Sequence, residues 1–159
     1  MSENPLQKLA DELQAALQEY RRLETELEGT RLRIGNKAPD MFERRAVGSL
    51  LHDVYNGAES ICQLIAKQID RQVPIGESWH RDLLEQMSEP VPKTRLAVLA
   101  SETVEVLNKY RTFRHVVRNI YGFRLDWALM QPLLDEADEA IHAFVSDIEQ
   151  FIAFLRMMG

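Results

Sequence analysis

From Asn4 to Glu28 the leucines Leu6, Leu9, Leu13, Leu17 and Leu27 recur at three- and four-residue spacing, with Tyr20 and Leu23 filling the gap. An apolar stripe of that period buries its side chains only on an α-helix, because a strand alternates every second residue. The same pattern returns three times further along. Val47, Leu50, Leu51, Val54, Ala58, Ile61, Cys62, Ile65 and Ile69 form a second face. Val106, Tyr110, Phe113, Val117 and Ile120 form another, and Leu133, Leu134, Ala137, Ile141, Phe144, Val145, Ile148, Phe151, Ile152 and Leu155 the last. No stretch carries a convincing strand pattern, an internal repeat or low complexity. Four amphipathic helices that must bury their stripes against one another predict an all-α, antiparallel up-and-down bundle of four long helices plus a short one.

Punctuation sets the boundaries. Asn4 followed by Pro5 reads as a cap residue and a proline at the first helical position, and Gly29 as a stop. Gly35 to Pro39 is a turn, after which Asp40 and Glu43 make a capping box. That second helix runs to about Arg71, with a break expected near Gly57. Pro74, Gly76 and Ser78 mark a loop, and Ser78 caps a short helix from Trp79 to Met87. Pro90 and Pro92 end it. A fourth helix is expected from Lys93 or Thr94 to Ile120, broken by Gly122. Asp126 caps the fifth, which Pro132 kinks near its start. The predicted helices are thus near residues 4–28, 40–70, 79–87, 94–120 and 128–157. The 159 residues, 45% of them hydrophobic, suit one domain over 1–159 with one core.

Composition removes several function classes. The N-terminus MSENPLQKLADELQ has early acids and no unbroken apolar run, so it does not read as a signal peptide. No stretch approaches the ~18 apolar residues of a membrane span. The single cysteine, Cys62, sits at a core-facing position and suits a reducing compartment, so a cytoplasmic protein is expected. The net charge of −6 argues against broad nucleic-acid binding and leaves room only for a local basic cluster. There is no P-loop, dinucleotide fingerprint or GxSxG, and no cofactor is expected. Asp138 and His142 lie one turn apart, but no paired Glu-x-x-His helices accompany them, so no metal site is expected. Trp79 and Trp127, each at a predicted helix start, read as packing residues.

One segment stands apart. KYRTFRHVVRNIYGFR, from Lys109 to Arg124, has five Lys and Arg side chains and no acid. Arg111, Arg114, Arg118 and Tyr121 share one helical stripe, rotated by one residue from the apolar one. The arginines therefore lie at the margin of the core. Like charges at that spacing repel by a few tenths of a kcal/mol per pair, so the stripe faces either an anion or acids on neighbouring helices. Arginine suits phosphate because its planar fork donates in pairs.

This segment resembles the HEPN superfamily, and within it the HepT-like toxin ribonucleases, whose motif has the form R-N-x-x-x-H-x-Y. The matching residues here run from Arg114 through His115, Val116, Val117, Arg118, Asn119 and Ile120 to Tyr121. The arginine and the tyrosine are kept, Asn119 stands at the histidine position, and His115 follows the arginine. HDVYNGAESICQLIAKQID looks like the family's second helix, and GESWHRDLL like a connecting segment in a subset of the family. The resemblance implies metal-independent cleavage of RNA, a homodimer whose motifs share one cleft, and a nucleotidyltransferase antitoxin as partner. In some HepT-like toxins that partner adenylylates the motif tyrosine, here Tyr121.

Under the resemblance, Arg114 stabilises the charge that builds on phosphorus; on the same stripe Arg111 or Arg118 is expected to grip a neighbouring phosphate. Asn119 can orient a phosphate but does not exchange protons near neutral pH. His115 is the nearest titratable replacement, one turn from both Arg111 and Asn119, with His52 and His80 in other segments as further candidates. Three readings stay open: a site rescued by His115, a site that binds without cutting, and a structural stripe.

Overall fold

The computed structural model describes residues 2–119 and 125–159, with side chains described to residue 115 and again from 125. Five α-helices form: α1 (Pro5–Ile34), α2 (Met41–Ile65), α3 (Trp79–Met87), α4 (Ser101–Asn119) and α5 (Trp127–Met158). No β-sheet occurs among the described residues, where one isolated bridge joins Val91 and Arg95. The protein is all-α, as the apolar period requires.

The caps explain most starts. Asn4 accepts from the Leu6 amide ahead of Pro5, and Asp40 and Glu43 form the reciprocal capping box. Asp126 accepts from the Ala128 amide at the head of α5. These bonds satisfy amides that the first turn of a helix leaves without partners. Ser78, expected to cap α3, makes no side-chain cap hydrogen bond.

Three boundaries differ from the sequence expectation. Helix α1 does not stop at Gly29 but runs on to Ile34, where Gly35 takes a positive φ of 59° and closes the end. Gly29 faces open space, and a lone glycine there costs the helix only about 1 kcal/mol. Helix α2 passes Gly57 unbroken and widens into a π-helical turn over Ala66–Asp70, which ends on Arg71 in the left-handed region. Helix α4 begins at Ser101, not near Thr94. The segment before it folds around the buried Arg95, whose guanidinium takes the carbonyls of Gln86, Glu89 and Leu96, an arrangement a helix from Thr94 would not supply. The expected break at Gly122 lies outside the described residues.

Helices α1 and α5 run in opposite directions: Gln7 reaches the Arg156 carbonyl, while Arg31 donates to the Leu134 carbonyl and pairs with Asp138. Helix α2 packs on α1, α3, α4 and α5, so it is the central element. The leucines Leu9, Leu13, Leu17 and Leu27 of α1 are buried with Val47, Leu51, Val54 and Ile65 of α2 and Ile141, Phe144 and Ile148 of α5. Burial of each such side chain contributes roughly 1.5–3 kcal/mol. Cys62 is in this core, and its burial raises the thiol pKa. Trp79 and Trp127 are partly buried against it, as packing residues. No helix among the described residues is long and apolar enough to cross a membrane.

Candidate functional site

The site follows from three local patterns meeting at one edge of the core. On α4, Tyr110 and Phe113 are buried while Arg111 and Arg114 are half-buried beside them. The arginine stripe therefore lies at the core margin, as its one-residue rotation requires. On α2, Tyr55 and Glu59 are one turn apart and both buried, Glu59 with only 7% exposure. On α3, His80 follows Trp79 at the helix start, which sets the imidazole between α2 and α4.

A cleft forms there, lined by Glu77, Ser78, His80, Arg81, Arg111, Arg114 and His115. Its volume is about 210 Å³. That is below the ~300–1,000 Å³ of pockets that enclose a small molecule. Three arginines and two histidines line it against one carboxylate, Glu77, so the cleft is cationic on a protein whose net charge is −6.

The arginines are not consumed by acids. Arg111 Nε donates to Asn108 Oδ1 at 2.9 Å. Arg114 Nη1 stands 3.4 and 3.5 Å from the two ring nitrogens of His80, and its Cζ lies 5.8 Å from the centre of the Tyr55 ring. Among the described residues neither arginine has a carboxylate within salt-bridge distance, and Arg114 Nε is buried without a hydrogen-bond partner. Acids on neighbouring helices, the other occupant the stripe allowed, do not neutralise these two side chains. Arg81 touches Asp82 and Glu85, at 3.9 Å from each.

Behind the arginines, His80 Nδ1 is 2.5 Å from Glu59 Oε2, and the Tyr55 hydroxyl donates to the same oxygen. Burial, then the hydrogen bond to Glu59 and its charge, push the Tyr55 phenol up, against the opposing pull of Arg111 and Arg114. The phenol therefore remains a donor at any physiological pH. The Trp79 ring lies against His80 with centroids 3.7 Å apart.

Of the residues singled out from sequence, Arg111, Arg114 and His115 come together in this cleft, His115 at its exposed rim. Arg118 and Asn119 are in the last turn of α4, and their side chains lie outside the described residues, as does Tyr121 altogether. His52 is on α2 and is not among the lining residues, while His142 is exposed on α5. Asp138 pairs with Arg31, and no group of His, Cys, Asp and Glu suited to a metal occurs among the described residues.

Sequence reasoning gave His80 no more than a reserve role and missed Tyr55 and Glu59. A signal was present: Glu59 is a carboxylate between Ala58 and Ile61 on an apolar face, one turn after a tyrosine. A buried acid demands partners, and the sequence did not say from which helix they come.

A protein-family model described as HepT-like protein matches residues 46–155, a span that contains Tyr55, Glu59, His80, Arg111 and Arg114. No curated protein and no solved structure matches the chain.

Proposed function

The chain belongs to the HepT-like family, and from that premise we propose that it is a metal-independent ribonuclease of the toxin class, with a nucleotidyltransferase as its antitoxin. The observation that carries this reading is the pair Arg111 and Arg114: two guanidinium groups that turn into one cleft with two histidines and have no acid partner among the described residues. Cutting RNA without a metal needs a cation for the charge building on phosphorus and a group that moves a proton. Arg114 supplies the first, because its fork stays charged and donates in pairs. Arg111 and Arg118 hold adjacent phosphates. Asn119 completes the motif face as an orienting amide, and a histidine of the cleft moves the proton, with His115 the candidate on the motif helix itself.

The single polypeptide presents a small, open cleft, which a second copy would enlarge. The active form is a homodimer with the segment from Arg111 to Tyr121 at or near its interface. Light scattering should give twice the 18.4 kDa chain mass at micromolar concentration; a monomer would refute the assembly. Tyr121 is the position the partner would adenylylate, and a mass gain of one AMP after incubation with the nucleotidyltransferase and ATP would test it.

The deciding experiment is cleavage of total RNA by the purified chain in excess EDTA. Cleavage that Arg114→Ala abolishes supports the reading. Retention of single-stranded RNA without cleavage would move the protein to a second reading, a non-enzymatic partner of the nucleotidyltransferase. The asparagine at position 119 favours that alternative, since it removes the family's neutral-pH proton carrier.

A further inference from the structure

We infer that His80 is a catalytic residue of this cleft, exchanging the proton that Asn119 cannot, with Glu59 and Tyr55 as its positioning residues. The inference rests on the ribonuclease reading above and names the group that moves the proton in it.

The argument begins at Glu59. A carboxylate only accepts hydrogen bonds, so the imidazole nitrogen 2.5 Å from Glu59 Oε2 must be the donor. Nδ1 therefore carries the hydrogen, and in the neutral ring Nε2 keeps its lone pair. Tyr55 donates to the same oxygen, so the carboxylate is held from its own helix while it holds His80 on the next. Trp79 lies against the imidazole, and the side chain retains only 23% exposure. A buried acid that fixes one tautomer of a histidine, leaving the other nitrogen open, is the arrangement that makes imidazole an effective base.

Arg114 stands beside the same ring, its Nη1 3.4 Å from Nδ1 and 3.5 Å from Nε2. A phosphate gripped by Arg114 would bring the adjoining ribose to His80. Nε2 takes the proton from the 2′-hydroxyl, and the 2′-oxygen forms its bond to phosphorus as the bond from phosphorus to the 5′-oxygen breaks. The protonated ring returns the proton to the leaving 5′-oxygen. The products are a 2′,3′-cyclic phosphate and a 5′-hydroxyl, and no co-reactant is consumed. The charged and titratable groups around His80 are Tyr55 and Glu59 from α2, Arg111, Arg114 and His115 from α4, and Glu77 and Arg81 beside it in its own segment.

The test uses the full chain with two readouts. The first is cleavage of a fluorescent RNA. His80→Ala should lower kcat by about 100-fold or more with little change in KM, because general acid–base catalysis is worth about 10²–10⁴-fold. Glu59→Gln should do comparable damage, since its amide can donate to Nδ1 and drive the hydrogen onto Nε2. It should also move the pH–rate profile, which a merely structural carboxylate would not do. Tyr55→Phe should cost less than either.

The second readout is the ¹⁵N spectrum of the His80 ring, recorded free and with a non-cleavable 2′-O-methyl oligonucleotide. The wild type should show hydrogen on Nδ1 and a shift at Nε2 when the oligonucleotide binds, and Glu59→Gln should show the opposite tautomer. Cleavage by His80→Ala at the wild-type rate overturns the inference and leaves the ribonuclease reading standing. An inert wild type overturns the ribonuclease reading, and the spectrum then decides. Hydrogen on Nε2, or no shift with the oligonucleotide, removes His80 from the site; Nδ1–H with a shifting Nε2 keeps it as the ligand-facing group.

Discussion

Glu59 and His80 are 21 residues apart in the chain, yet Glu59 Oε2 and His80 Nδ1 are 2.5 Å apart in space. That contact ties α3 to α2, and the Arg114 guanidinium on α4 closes the triangle against the same ring. Three helices thus contribute one side chain each to this triangle. The loop between α2 and α3 has to deliver His80 with its Nδ1 toward the buried acid and its ring beside Arg114.

A first prediction concerns the arginine. Arg114→Lys should recover only part of what Arg114→Ala loses in binding a single-stranded RNA oligonucleotide. A lysine keeps the charge but forfeits the fork and the contact with the Tyr55 ring. Arg111→Ala should weaken binding and lower the slope of log affinity against log salt by about 0.7, the value of one phosphate contact on a single strand. Binding unchanged by both variants would show that the cleft does not take the RNA backbone.

A second prediction concerns the departure from the family motif. Asn119→His restores the missing proton carrier and should raise the rate of RNA cleavage. If His80 already moves the proton, the gain should be smaller in the wild-type background than in His80→Ala. Equal fold-gains in both backgrounds would mean that the two positions act independently.

How much of this was legible in the sequence depends on the distance over which each feature is decided. The caps at Asn4, Asp40 and Asp126 are fixed by neighbours within three residues, and all three form as read. The arginine stripe at the core margin follows from one helix's period and was equally readable. Glu59 was not, because its partner is on another helix and only the packing of α2 on α3 supplies it. The start of α4 was misplaced for the same reason. Arg95 looks like an ordinary helical residue until the distant Asp70 draws it inward.

That pair gives a third prediction. Arg95 is fully buried and grips Asp70 with both arms, Nε to Oδ1 at 2.6 Å and Nη2 to Oδ2 at 2.7 Å. Removing Asp70 leaves a buried charge with backbone carbonyls but no counter-ion. Asp70→Ala should therefore lower the free energy of unfolding in urea by about 3–5 kcal/mol. The double variant Arg95→Met with Asp70→Leu should cost less than the two single losses combined. A single loss under ~1 kcal/mol would mean that water reaches the guanidinium.

Gly57 gives a fourth. A methyl group there would meet the Tyr20 ring at 2.5 Å, and that ring is buried edge-on against Phe144 with its hydroxyl bonded to the Val54 carbonyl. Displacing the ring would give up that bond and its packing on Phe144. Gly57→Ala should destabilise by about 1–3 kcal/mol despite alanine's better helix propensity, because overpacking outweighs the roughly 1 kcal/mol gained. Melting by circular dichroism should show the loss. Stabilisation instead would mean that α1 and α2 are free to separate.

The last prediction is a loss of stability in alkali. Burial raises the Cys62 thiol and the phenols of Tyr20, Tyr55 and Tyr110 well above their ordinary values. A group whose folded pKa is raised keeps a proton that the unfolded chain would release. Its contribution is whole below the unfolded pKa and is lost as pH climbs toward the folded one. Unfolded thiols release near pH ~8.5 and phenols near ~10. The melting temperature should therefore be level between about pH 7 and 8, begin to fall near 8.5 with Cys62, and fall steeply above 10 as the tyrosines join. Above those points Cys62 and Tyr20 should each remove about 1.4 kcal/mol per pH unit. Cys62→Ala should delay the onset to about pH 10, and Tyr20→Phe should make the fall above it shallower. Tyr20→Phe also loses the bond to the Val54 carbonyl, so its curve starts lower at neutral pH and crosses toward the wild type in alkali. A wild-type curve that stays level through pH 11 would contradict the burial of all four groups.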